Sequence, residues 1–309
     1  MKKLISIITP FYNEEKNVEA FFQEVNSVIQ NIPNYNFEII CIDDGSIDLT
    51  NSKLIELNQL DKRYKIVELS RNFGKEAALT AGIDEAQGDA VIPMDSDLQD
   101  PPLTIIKLIC EWEKGFEVVL AKRSDRYNDT FAKRQSSMFF YKISNYLFSP
   151  KIPNNVGDFR LIDRTVVEAI KLLPERQRFM KGLFAWVGFK TTTVNFIRGK
   201  RDEGKTTFTP WKLWNFALDG ITSFSITPLK IWMYIGFIGA IISGVYSLYI
   251  VLRTLISGID VPGYASIIVA ILFISSVQLI SIGIIGEYIG RIYNETKHRP
   301  IYIIRKKYM

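Results

Sequence analysis

The sequence predicts an α/β domain built on a mostly parallel sheet with helices on both faces, followed by two transmembrane helices. Two observations carry this. Over about the first 125 residues, short apolar runs alternate with amphipathic segments at the spacing of βαβ units. Later, Ile231 to Leu252 and Val261 to Gly286 contain no Asp, Glu, Lys or Arg. Each run exceeds the roughly 20 residues that a helix needs to cross a bilayer.

Strands are expected at Leu4 to Thr9, Phe37 to Ile42, Tyr64 to Leu69, Ala90 to Met94 and Val118 to Ala121, because these runs are short, apolar and rich in Ile and Val. Helices are expected at Glu15 to Gln30, Leu49 to Leu60, Lys75 to Ala86 and Leu103 to Lys114. Four of the strands end in polar clusters: Pro10 to Glu14, Asp43 to Ser46, Ser70 to Lys75 and Asp95 to Asp100. A parallel sheet brings all four ends to one edge, which describes a ligand crevice rather than four unrelated turns.

Further along, Thr130 to Phe148 and Pro210 to Phe224 combine aromatic residues with Lys and Arg, as helices on a membrane surface do. Asn155 to Asp163 and Val187 to Ile197 read as additional strands. The two uncharged runs are joined by a short loop, so the chain returns to its starting side. Lys and Arg cluster after the second run, which places the first domain and both termini in the cytoplasm. The expected organisation is a cytoplasmic α/β domain over residues 1–228, a two-helix transmembrane hairpin over 229–290 and a basic tail over 291–309, in a multi-pass membrane protein.

Composition removes several chemistries. The formal charge of +5 sits largely beside apolar segments, so attraction to anionic headgroups explains it more simply than nucleic acid does. His298, the only histidine, lies in the basic tail, which excludes a histidine zinc site or a histidine-based triad. Cys41 and Cys110 fall within apolar stretches and are expected as small core residues. Neither GxGxxG nor GxxxxGK[ST] occurs, so phosphate on a ligand must be neutralised by metal and basic side chains. Asp95 and Asp97 are two residues apart. If strand geometry persists through them, both carboxylates emerge on one side and can share a divalent cation, with Gln99 extending the row by a neutral oxygen.

Several segments together resemble the inverting family 2 glycosyltransferases, and among them the polyprenyl-phosphate glycosyltransferases, which include dolichol-phosphate mannose synthases and bactoprenol glucosyltransferases. The likeness rests on Pro10-Phe11-Tyr12-Asn13-Glu14-Glu15, Asp43-Asp44-Gly45-Ser46, Asn72-Phe73-Gly74-Lys75, Asp95 to Pro102, Gly157-Asp158-Phe159-Arg160 and the Arg201 to Phe208 segment followed by Trp211-Lys212-Leu213-Trp214. With the two carboxyl-terminal runs it covers essentially the whole chain. The order and spacing of the motifs are specific where each alone is weak.

The resemblance implies a Rossmann-like GT-A fold. Pro10, Tyr12, Glu14, Asp43 and Asp44 would bind the nucleoside of a sugar nucleotide. Asp95, Asp97 and Gln99 would hold Mg²⁺ or Mn²⁺ with its diphosphate. Asp97, Asp158 and Arg201 would be the catalytic group. Lys75, Arg123, Arg126, Arg134, Arg160 and Lys205 would bind substrate, the cations gripping one or the other phosphate. Asp158 is either a base or a group that orients the sugar or Arg160. Relatives carry a lysine where Thr207 stands here, and Lys205 is the nearest cation to replace it. The implied reaction, carried by residues 1–228 at a bacterial cytoplasmic membrane, moves a hexose, glucose from UDP-glucose, onto undecaprenyl phosphate for cell-envelope glycan modification, in a homotetramer. GDP-mannose, UDP-N-acetylglucosamine and an aminoarabinose nucleotide are alternative donors, and an inert membrane scaffold is the alternative outside enzymes.

Overall fold

The computed structural model describes residues 2–124, 156–176, 178, 180–197, 227–257 and 263–309. Two compact units divide the chain: Met1–Gly220 with Arg299–Met309, and Ile221–His298.

In the first unit β1 (Leu4–Phe11), β2 (Asn36–Asp43), β3 (Tyr64–Leu69) and β4 (Ala90–Pro93) alternate with α1 (Val18–Ile29), α2 (Thr50–Leu60), α3 (Lys75–Glu85) and α4 (Thr104–Glu113). β5 (Val118–Arg123), β6 (Val156–Asp163), α5 (Arg164–Lys171), α6 (Met180–Trp186) and β7 (Thr191–Phe196) follow, and β8 (Ile304–Tyr308) comes from the far end of the chain. They form one sheet in the order β7-β5-β6-β4-β1-β2-β3-β8. β1 pairs in parallel with β2 and β4, and β2 with β3. β6 runs antiparallel between β4 and β5, and β8 runs antiparallel along β3.

The central strands are buried on both faces, which is why they read as continuous apolar runs rather than alternating ones. Ile5, Ile7, Ile39, Cys41 and Ile92 pack on one side with Phe21 and Val25 of α1 and Leu108 and Trp112 of α4. Burial pushes the Cys41 thiol up from its ordinary value. Cys110 departs from expectation: it is exposed, because α4 buries Ile105, Leu108, Ile109 and Trp112 and turns residue 110 to the opposite face. Of the two later strands, β6 begins one residue inside its expected start. β7 is shorter than expected because Val187 still donates its N–H to Leu183 O at the end of α6.

β8 has no counterpart among the expected strands. Arg305 pairs with the buried Glu68 of β3 at 3.1 Å, Lys307 with Glu85 at 2.6 Å, and Ser70 N–H donates to Ile303 O at 2.8 Å. A tail expected to be a basic extension therefore closes one sheet edge.

In the second unit α7 (Thr227–Ser257) and α8 (Tyr264–Thr296) form where the uncharged runs lie. Among the described residues, however, no helix is long and apolar enough to cross a membrane. This corrects the expectation of two transmembrane helices, and with it the multi-pass localisation and its cytoplasmic termini. The expectation rested on the length of the two runs, their lack of formal charge and the absence of a polar stripe along them. The amphipathic helices expected at about 130–148 and 210–224 lie outside the described residues.

Candidate active site

The ends of β1 to β4 and the loops that follow them surround a cavity of about 690 Å³. Hydrogen bonds between those loops fix its wall. Asn13 adopts a left-handed φ of 54°, which asparagine tolerates better than most residues. Its N–H donates to Ser46 Oγ at 3.0 Å and its Oδ1 accepts from Ile47 N–H at 2.9 Å. Glu14 N–H donates to Thr50 Oγ1 at 2.8 Å. One loop further, Asp44 accepts from Phe73 N–H at 2.7 Å and Gly74 N–H at 2.9 Å. Gly45 is required here: its φ is +68°, and a Cβ would lie 2.7 Å from Asn72 N and closer still to the Arg71 carbonyl carbon.

Of the residues expected to bind a nucleoside, Pro10, Tyr12, Glu14 and Asp44 line the cavity. Asp43 does not. It is buried behind the wall, where it accepts from Ser46 N–H at 3.2 Å. Burial pushes the Asp43 carboxyl up from its ordinary value; it also raises Asp44, against the two backbone N–H groups that favour its charge.

Asp95 and Asp97 also line the cavity, with Ser96 between them. Gln99 is only 6% exposed and is not part of the lining. β4 stops at Pro93, and Leu98 takes a φ of 53°, so the alternation that would align position 99 with 95 and 97 is broken. Asp97 Oδ1 accepts from Gln99 N–H at 3.2 Å. No group of three or more His, Cys, Asp or Glu side chains is placed to hold a metal ion among the described residues. The carboxylates that the loop presents to the cavity are the pair Asp95 and Asp97.

Lys75 opens α3 and bridges two carboxylates, with Nζ 2.6 Å from Asp95 Oδ1 and 2.9 Å from Asp158 Oδ2. The Asp158 side chain is 12% exposed, and its Oδ1 is buried without a hydrogen-bond partner among the described residues. Burial opposes the charge of Asp158, but Lys75 and Lys181 outweigh it and hold the carboxyl well below the usual range. Burial likewise opposes the Lys75 charge, and Asp158 and Asp95 hold the ammonium above the ordinary lysine range. Arg160, 3% exposed, donates to Gly157 O at 2.7 Å and stacks 4.2 Å over the Phe184 ring. Burial draws its guanidinium down to about 10, against Asp158 and Glu76.

The structure thus brings together Pro10, Tyr12, Glu14, Asp44, Lys75, Asp95 and Asp97, with Asp158 reached through Lys75. Arg160 faces away, into a second cavity with Lys181 and Phe184. Arg123 Nε is buried without a partner among the described residues. Arg126, Arg134, Arg201 and Lys205 lie outside the described residues. Sequence reasoning overlooked Lys16, Asn17 and Asp48 in the lining, and Glu76 next to Lys75. The first three sit in polar turns whose spacing alone gave no direction. Glu76 looks like an ordinary acid in the first turn of a helix.

Comparison with known proteins gives the same picture. Residues 6–171 match the family described as Glycosyl transferase family 2, and residues 227–292 match the GtrB C-terminal hairpin. A glycosyltransferase from Synechocystis sp., described as uncharacterized, is 54% identical over 97% of this chain and 94% of its own. The bactoprenol glucosyl transferase of Shigella phage SfV is 51% identical over 98% of both chains. Among solved structures, mannosyl-3-phosphoglycerate synthase from Rubrobacter xylanophilus shares the fold at a TM-score of 0.51 and 15% identity, over 70% of this chain and 71% of that one. A family match over more than half of the chain, and relatives about half identical along nearly all of it, establish that this chain is a glycosyltransferase belonging to glycosyl transferase family 2.

Proposed function

We propose that the protein transfers glucose from UDP-glucose to a polyprenyl phosphate such as undecaprenyl phosphate, with inversion at the anomeric carbon. The observation that carries this reading is the 51% identity, over 98% of both chains, with a bactoprenol glucosyl transferase. The cavity suits the donor half of the reaction. Tyr12 offers a ring face for a base, and the acidic strand ends offer acceptors for ring N–H groups and ribose hydroxyls.

The diphosphate is harder to accommodate. Among the described residues, the lining includes Glu14, Glu15, Asp44, Asp48, Asp95 and Asp97 against Lys16 and Lys75. An anionic ligand entering this acidic space requires added positive charge. Asp95 and Asp97 supply two hard carboxylates on one wall, and Mg²⁺ or Mn²⁺ characteristically takes one or two carboxylates plus substrate phosphate oxygens. The residues fit such an ion without Gln99. When bound, it would stabilise the charge that develops on the departing nucleoside diphosphate.

The protein's own groups then have distinct tasks. Lys75 carries three N–H donors. Two are taken by Asp95 and Asp158, which leaves one for an oxygen of a phosphate in the cavity it lines. Asp158, held ionised by Lys75, is a weak proton acceptor. A phosphate monoester dianion is nucleophilic near neutral pH without a strong base. Both points favour Asp158 as an orienting and electrostatic group. Back-side displacement by the lipid phosphate gives a β-linked product from an α-linked donor. Assembly into a homotetramer belongs to the same proposal.

The test incubates the purified chain and undecaprenyl phosphate in detergent with labelled UDP-glucose, GDP-mannose and UDP-N-acetylglucosamine, with Mn²⁺ or with EDTA. Lipid-linked glucose that disappears with EDTA is the expected product. A label transferred only from another donor would overturn the glucose assignment, and equal transfer in EDTA the metal assignment. Light scattering of the eluting protein checks the tetramer.

A further inference from the structure

Lys75 and Glu76, the first two residues of α3, reach different partners. Lys75 takes the carboxylates of Asp95 and Asp158. Glu76 Oε2 accepts a hydrogen bond, 3.1 Å long, from the N–H of Met180, the first residue of α6. One turn along α3, Thr80 Oγ1 lies 4.0 Å from Met180 Sδ, and Met180 has no exposed surface. α6 is therefore fixed to α3 at one point, through both main chain and side chain. It is seven residues long, far too short to be stable by itself, so its placement depends on such docking.

What α6 places is Phe184, whose ring lies 4.2 Å beneath the Arg160 guanidinium. Arg160 in turn donates to Gly157 O at 2.7 Å and Asp158 O at 3.3 Å, so it braces the β6 main chain where Asp158 leaves it. Asp158 is thus held twice from the start of α3. Lys75 grips its side chain directly, and the contact from Glu76 reaches its main chain through α6 and Arg160.

We propose that Glu76 is a positioning residue for sugar transfer: its carboxyl oxygen docks α6 on α3, and through Phe184 and Arg160 this dock sets the position of Asp158 beside the donor cavity. The inference rests on the transferase reading given above. It requires an oxygen acceptor at position 76 and no charge there. Burial and the neighbouring Asp158 push the Glu76 carboxyl up to about 7, so the native side chain already works partly neutral. A glutamine offers the same carbonyl oxygen to Met180 N–H, whereas alanine offers none and aspartate is one methylene short.

The test compares full-length wild type with Glu76→Gln, Glu76→Ala and Glu76→Asp. Measurements are kcat and KM for UDP-glucose with undecaprenyl phosphate, UDP affinity by calorimetry, and hydrogen exchange of the amides at 180–186. Glu76→Ala and Glu76→Asp are expected to lose about tenfold or more in kcat, the scale of a sub-ångström misplacement, with UDP affinity and donor KM unchanged. Exchange at 180–186 should accelerate in both. Glu76→Gln should restore rate and protection.

Native kcat in Glu76→Ala would overturn the proposal. So would native exchange at 180–186 in that variant, or a Glu76→Gln enzyme as slow as the alanine one. A wild type that transfers no sugar, alongside accelerated exchange in Glu76→Ala, would sink the transferase reading and support the dock.

Discussion

Replacing Lys75 by methionine isolates the ion pair on which the site depends. The two arms differ. The Asp95 side chain is 35% exposed, so the pair across it resembles a surface salt bridge, worth about 0–1 kcal/mol. Asp158 is 12% exposed, and stranding a buried charge costs about 3–5 kcal/mol. Because the Lys75 side chain is itself 43% exposed, solvent screens this arm and about 2 kcal/mol is the reasonable expectation. A double-mutant cycle with Lys75→Met and Asp158→Asn, read by denaturant unfolding, measures the coupling directly. Its pH dependence follows from the directions of the two shifts. Asp158 titrates below its unfolded value, so its contribution is present above the ordinary carboxylate range and is lost as pH falls through the depressed folded value. Lys75 titrates above its unfolded value, so its contribution is complete below the ordinary lysine range and is lost only as pH rises through the raised one. The pair itself should therefore contribute evenly from about pH 5 to 9, with one step superimposed near 7, where Glu76, whose carboxyl Asp158 raises and Lys75 lowers, exchanges its proton. A coupling energy near zero, or one that still changes through neutral pH in a Glu76→Gln background, would refute the claim that Lys75 holds Asp158 ionised.

Asp97→Asn should lower transfer by at least about a hundredfold with an unchanged melting curve; wild-type rates would remove the metal seat. Gly45→Ala forces a Cβ against the backbone of Arg71 and Asn72 at a φ of +68°, and should cost about 1–3 kcal/mol and weaken UDP binding, both measurable by calorimetry. In Glu76→Gln the stability difference from wild type should depend on pH. The native carboxyl, raised to about 7, takes up a proton on folding, so wild type loses stability as pH rises from its unfolded value toward 7, and the variant, having no such group, should gain relative to it across that window and level off above. Deleting residues 299–309 bares the edge of β3 and leaves the buried Glu68 without Arg305, so the truncated protein should self-associate in light scattering where the full chain does not change with time.

The chain states its central sheet openly because β1, β2 and β4 are buried on both faces and have no reason to alternate with polar residues. The same topology makes the cavity legible: once strands are parallel, acids at their ends must share an edge. Three features were not legible, each for a physical reason. β8 is a basic pentapeptide that becomes a strand only because β3 offers it an open edge, with Arg305 and Glu68 far apart along the chain. Gln99 was aligned with Asp95 and Asp97 by a period of two that holds only in a strand, and the strand ends before them. Glu76 gains its partner from α6, which no local pattern connects to α3. The uncharged runs are the reverse case: by length and lack of charge they read as membrane spans, yet among the described residues no helix is long and apolar enough to cross a membrane.

The arrangement of charge links these points. Among the described residues, carboxylates dominate the lining of the cavity, so the position of each positive charge within it matters. Lys75 supplies that charge at the place where the cavity meets Asp158, and its attachment to both Asp95 and Asp158 prevents it from serving either alone. An ion held by Asp95 and Asp97 would compete with Lys75 for the Asp95 carboxylate, and every N–H that Lys75 gives up there becomes available to a phosphate oxygen. Donor binding and the restraint on Asp158 would then be coupled through one ammonium group. Arg160, which donates to Gly157 O and Asp158 O, would then keep the β6 main chain at Asp158 in place while Lys75 changed partners.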